Sequence, residues 1–163
     1  MIKDLFYTWQ TGRIRRWHNQ VNLSHTNDFL DGHYGRVARM MIMLKPDVSA
    51  EALRYALIHD DGERMSGDTP YPAKRKYPEL ALVSRDVENQ ERCRVWGPDP
   101  QLTEDELDLI EICDRLDSWL WALAHGSGRS KPWQDMLRKI RMKAALIDVL
   151  DEVKELINVV KGH

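Results

Sequence analysis

Apolar residues recur three and four positions apart along almost the whole chain and alternate at strand spacing almost nowhere. This periodicity restricts the chain to an all-α fold. With 163 residues, it has room for one ordinary domain with a proper core and too little for two, so a single domain spanning 1–163 is expected.

Residues 34–44 place Val37, Ala38, Met41 and Leu44 on one face, with Arg36 and Arg39 outside it, which predicts a helix ending near Lys45-Pro46. Ser49 is suited to cap the next helix, whose apolar positions Leu53, Ala56 and Leu57 lead to His59 and Asp60 in its last turns. Gly62 and Gly67-Asp68-Thr69-Pro70 break the pattern, and 71–78 reads as an ordered but irregular loop. Helix resumes over 79–95 and stops at Gly97-Pro98-Asp99-Pro100. Thr103 and Glu106 form a capping-box signature for a further helix, in which Asp114 and Asp117 interrupt the apolar face. After Gly126-Ser127-Gly128, the stripe from Met136 through Ile147 to Val160 predicts one sustained amphipathic helix over about 132–160, packed on the core or on another subunit.

The 26 acidic and 24 basic side chains nearly cancel, which excludes a broad polyanion-binding face, so a nucleic-acid polymer is not an expected partner. Residues 1–10 lack the apolar run of a signal peptide, and no stretch approaches a membrane span. Cys93 and Cys113 form no Cys-x-x-Cys pair and read as reduced thiols. A cytoplasmic location without membrane association is expected.

His59-Asp60 sets two metal-capable side chains next to each other, with Glu63 and Asp68 close behind. Carboxylates crowded into a low-dielectric pocket take up protons unless a cation compensates them. On a helix, adjacent side chains point about 100° apart, so His59 and Asp60 straddle one ion instead of sharing a stripe. Further ligands must come from elsewhere, and the candidates are His33 and Asp114. Asp117, one turn beyond Asp114, is the rival. Two imidazoles and two carboxylates suit zinc, cobalt, manganese or iron and tolerate magnesium, so neither the metal nor a second ion is specified.

The order His33, His59-Asp60, Asp114 resembles the HD-domain phosphohydrolases, and the resemblance covers roughly residues 13–121. Arg16-Trp17, Glu63 and Gly67-Asp68-Thr69-Pro70-Tyr71-Pro72-Ala73-Lys74 are similar to the compact deoxynucleotide-hydrolase branch, most of all to its small phage dATP triphosphohydrolases. Where the branch has Glu-His-Ser around the first ligand, this chain has Gly32-His33-Tyr34, a departure that leaves His25 as an outside alternative to His33. The resemblance implies hydrolysis of dATP to deoxyadenosine and triphosphate, extending to dADP and dAMP, which depletes adenine nucleotides in favour of 2-aminoadenine in phage DNA. It also implies a host bacterial cytoplasm and a homo-oligomer, dimer or hexamer.

Within that chemistry Glu63, one turn beyond His59, is placed to accept a proton from the attacking water, and Asp68 to orient that water or protonate the leaving oxygen. By resemblance Arg16 and Lys74 hold phosphate, while Trp17, His18, Asn19 and Pro72 meet the base. Tyr77 is a further contact to sugar or phosphate. Most of Trp9, Trp96, Trp119, Trp121 and Trp133 are expected in the core. Two alternatives stay open: a general 5′-deoxynucleotidase acting on monophosphates, and a non-catalytic nucleotide sensor.

Overall fold

The computed structural model describes residues 2–161 apart from Asp68 and Pro70, with no account of the side chains at 2, 3, 71, 72, 75 and 161. The described residues form helices and turns. Their one β feature is an antiparallel bridge between Arg15 and Phe29. In chain order the helices are α1 (Ile2–Thr11), α2 (Leu30–Leu44), α3 (Ala50–Ala56), α4 (Glu63–Ser66), α5 (Tyr71–Lys76), α6 (Pro78–Trp96), α7 (Glu104–Ala124), α8 (Lys131–Leu146) and α9 (Leu150–Lys161). No described helix is long and apolar enough to cross a membrane.

The chain divides into two compact units: Met1–Tyr34 with Ile58–Pro100, and Gly35–Leu57 with Gln101–His163. In the first, a run of turns joins α1 to α2. It is tied together by backbone bonds from Arg16 N to Asp28 O, Leu30 N to Ile14 O and Asp31 N to Gly12 O, at 2.9, 3.1 and 3.0 Å. A Cβ at Gly12 would fall 1.6 Å from Oδ1 of the exposed Asp31 side chain, which would have to turn away. Trp17 sits at φ 65°, a left-handed conformation disfavoured for a bulky residue, and is held there by a 2.9 Å bond from its indole N–H to buried Asp28. Later in the unit, α4 and α5 pack on α6.

The second unit is built on an apolar cluster that includes Val37, Met41, Ala56, Leu116, Trp119 and Ile140. α7 runs through it and packs on α3 and α8, and α8 packs on α9. The expected caps are present. Ser49 Oγ accepts from Ala52 N at the start of α3, and Thr103 and Glu106 form a complete capping box on α7. Cys113 is fully buried in this cluster, and Cys93 of the first unit is half-buried; both are free thiols.

Three expectations are corrected. α3 ends at Ala56, so His59 and Asp60 lie in turns beyond the helix and not in its last turns. Residues 71–76 are helical, since a proline at the second helical position removes no intrahelical bond. The C-terminal segment is two helices. Asp148 adopts φ 58°, and Val149 N–H closes on Ala144 O at 3.0 Å, which ends α8 without a glycine or proline. Trp9 is an exposed residue of α1, stacked on Phe6, while Trp119 is fully buried.

Candidate metal centre

His33 lies in the first turn of α2, where Leu30 and Tyr34 are also buried. His59 and Asp60 follow in the turns after Ile58, and the three residues meet inside the first unit. Nε2 of His33 and Nε2 of His59 approach Asp60 Oδ2 at 3.6 and 3.2 Å, and one ligand atom from each residue lies within 4.8 Å of the others. The imidazole rings are 5.4 Å apart and steeply tilted. Burial pushes the Asp60 carboxyl up, but the two imidazoles outweigh it and hold the group well below the usual carboxylate range. Asp60 is therefore ionised in this pocket.

His33 is oriented from behind. Arg16, itself buried, brings Nη1 to 2.8 Å from His33 Nδ1 and 3.1 Å from Asp28 Oδ2. A guanidinium only donates, so in this arrangement Nδ1 accepts and the ring proton sits on Nε2. Ligation of a cation through Nε2 needs the opposite tautomer. Asp28 keeps Arg16 partnered when Nδ1 takes up the proton. With that exchange, the donor set of two imidazole nitrogens and an ionised carboxylate fits a divalent ion.

A second ring of residues surrounds the three. Tyr34 meets the His59 ring edge-on at 5.4 Å, and burial, followed by the charges of Asp60, Asp61 and Glu63, raises its phenol so that it stays protonated. Asp61 is buried and receives the Trp96 indole N–H at 2.7 Å. Its carboxyl is raised by burial, against the lowering influence first of the Trp96 N–H and then of the nearby Tyr34 hydroxyl. Asp61 and Tyr34 adjoin predicted ligands in the sequence, yet nothing in the helical pattern marks them as buried here.

The remaining candidates fall at varied places. Glu63, half-buried, opens α4 three residues after Asp60. Lys74 is on α5, with Nζ 3.5 Å from Glu88 Oε1. Trp17 is buried, with the Arg16 guanidinium 4.9 Å from its ring centre, whereas His18 and Asn19 are exposed and bonded to each other at 2.9 Å. Tyr77 is exposed beneath the Lys76 ammonium. Asp68 and the Pro72 side chain lie outside the described residues. His25 is exposed. In the second unit Asp114 is half-buried on α7, and Asp117 is gripped by the Arg36 fork at 2.5 and 3.1 Å, an engagement that argues against the rival ligand.

The fold is that of the HD phosphohydrolases. The HD phosphohydrolase of cyanophage S-2L, DatZ, solved with dA and one catalytic Zn2+ ion, matches with a TM-score of 0.70 at 19% identity, over 97% of this chain and 96% of that one. A conserved hypothetical protein from Pyrococcus furiosus matches with a TM-score of 0.66 at 22% identity, over 95% of this chain and 99% of its own. The sequence by itself matches no family model and no curated protein.

Proposed function

We propose that the protein is a metal-dependent phosphohydrolase acting on deoxynucleotides, with dATP as its substrate. The observation that carries this reading is the convergence of His33, His59 and Asp60 within 4.8 Å, on the fold of a zinc-bound HD phosphohydrolase. His33, His59 and Asp60 hold the cation. The fourth ligand is Asp114, an assignment that rests on the sequence order alone. Zinc, cobalt and manganese all suit this donor set, and magnesium suits a second ion.

When bound, a divalent cation supplies Lewis acidity to a phosphoryl oxygen and to the attacking water. The chain's own residues do the rest. Glu63 accepts the proton that water gives up, and Asp68 orients the water or protonates the leaving sugar oxygen. Arg16, beside His33 and paired with Asp28, brings positive charge to the phosphate. Lys74 adds a point charge, Trp17, His18, Asn19 and Pro72 meet the base, and Tyr77 meets sugar or phosphate. Attack at the α-phosphorus of dATP gives deoxyadenosine and triphosphate. A working copy that is a homo-oligomer in a bacterial cytoplasm fits the same reading.

Chromatography of products from dATP, dGTP, dCTP, dTTP, dAMP and 2-amino-dATP, on protein of known metal content, tests the proposal. Deoxyadenosine with triphosphate from dATP, and little turnover of the 2-amino analogue, is the expected result. Orthophosphate released from monophosphates alone makes the protein a 5′-deoxynucleotidase. Tight nucleotide binding without turnover in zinc, cobalt, manganese or magnesium makes it a sensor.

A further inference from the structure

We propose that one face of α6 is the positioning layer of the metal pocket and that Arg92 on that face sets the pocket's affinity for its ion. The proposal rests on the metal reading above and adds a residue that touches neither ion nor substrate.

His59 and Asp60 stand in turns past the end of α3, where no helical ladder fixes their backbone. Something else must hold them, because the place of a ligand nitrogen is set by the backbone that carries its side chain. Three positions of α6 spaced by four share one side of the helix and meet that segment. At the first, the backbone of Glu88 lies so close to Gly62 that a Cβ there would fall 2.0 Å from Glu88 O. At the second, Arg92 Nη1 donates to the His59 carbonyl at 3.0 Å. At the third, Trp96 Nε1 donates to Asp61 at 2.7 Å.

Arg92 is the member best able to fix a ligand. It is 3% exposed, and its guanidinium is held in place by a fork onto Asp99, at 2.8 and 2.5 Å, and by Asn89 at 2.8 Å. A buried guanidinium with its partners satisfied has little freedom, so the carbonyl it grips inherits that rigidity. Lysine at the same place keeps the charge but is unable to fork Asp99 while reaching the carbonyl.

The test is cobalt titration of the full-length protein, followed by visible absorption, for the parent, Arg92→Lys and Asp99→Asn, alongside thermal unfolding of each metal-free form. Arg92→Lys is expected to weaken cobalt binding by roughly 10–100-fold, the usual range for lost outer-shell partners. Asp99→Asn, which loosens the fork but keeps the guanidinium, is expected to weaken binding less, and turnover of both variants to recover at saturating cobalt. A folded Arg92→Lys with parental cobalt affinity overturns the proposal, even if its metal-free melting temperature has dropped, since that is the mark of a merely structural role. If Arg92→Lys does not fold, parental affinity in Asp99→Asn overturns it. Failure of the parent to bind cobalt, zinc or manganese strikes the metal reading itself and is seen before any variant is made.

Discussion

The two compact units bury different kinds of chemistry. The contiguous apolar cluster of Val37, Met41, Leu116, Trp119, Ile140 and their neighbours lies in the second unit. The polar and charged residues found buried among those described, Asp117 excepted, lie in the first: Thr11, Arg16, Thr26, Asp28, His33, Asp61, Ser84 and Arg92. Burying polar groups without partners costs several kcal/mol each, so the first unit needs its local hydrogen-bond groups, Arg16 with Asp28 and His33, Arg92 with Asp99 and Asn89, and Trp96 with Asp61. The unit that holds His33, His59 and Asp60 is therefore the one in which charged side chains are buried through directed hydrogen bonds. Apolar packing fixes shape but offers no donor or acceptor to aim a ligand atom, whereas a satisfied hydrogen-bond group does.

The sharpest way to break this contrast is Asp60→Ala. It is expected to remove bound metal and abolish hydrolysis while the second unit's core survives, as checked by metal analysis and near-UV circular dichroism of the same sample. Retained metal would move the site elsewhere. Glu63→Gln is expected to keep the metal and slow turnover by roughly 10²–10⁴-fold, the usual weight of a general base. An unchanged turnover number removes its proton role.

Leu116→Ala probes the other side of the contrast. Cutting a fully buried leucine from the apolar cluster is expected to cost about 2–5 kcal/mol in urea unfolding, with metal affinity of the folded protein unaltered. Coupled loss of both would show that the units do not separate in this way.

The smallest effect concerns Glu106. Its hydrogen bond from Ser49, then the one from the Thr103 backbone, lower its carboxyl below the ordinary 4.5. A depressed folded value means stability that is present above pH 4.5 and lost as pH falls through the folded value. Glu106→Gln should therefore unfold more easily than the parent at neutral pH, with the gap closing in acid; a gap independent of pH assigns the effect to packing instead.

Much of the second unit was legible in the sequence because its signals are local. Ser49, Thr103 and Glu106 announce helix starts, and the spacing of apolar residues follows the helical period. The break at Asp148 was not legible, because a non-glycine residue in the left-handed region leaves no mark in composition. In the first unit the order of His33 and His59-Asp60 pointed to residues that the fold does bring together. Arg92, Asp61 and Asp28 stayed invisible for a physical reason. A charged residue becomes buried only when distant partners satisfy it, and those partners are defined by tertiary contacts and not by spacing along the chain.

The two cysteines supply a further consequence. Cys93 belongs to the first unit and Cys113 to the core of the second, where burial, and then the charge of Asp114, push its thiol far above the reactive range. Only thiolates attack alkylating reagents at a useful rate, so Cys113 stays silent until its surroundings open. Each unit thus carries its own chemical clock, and peptide-resolved alkylation over time reads the openings of both regions from a single unlabelled chain.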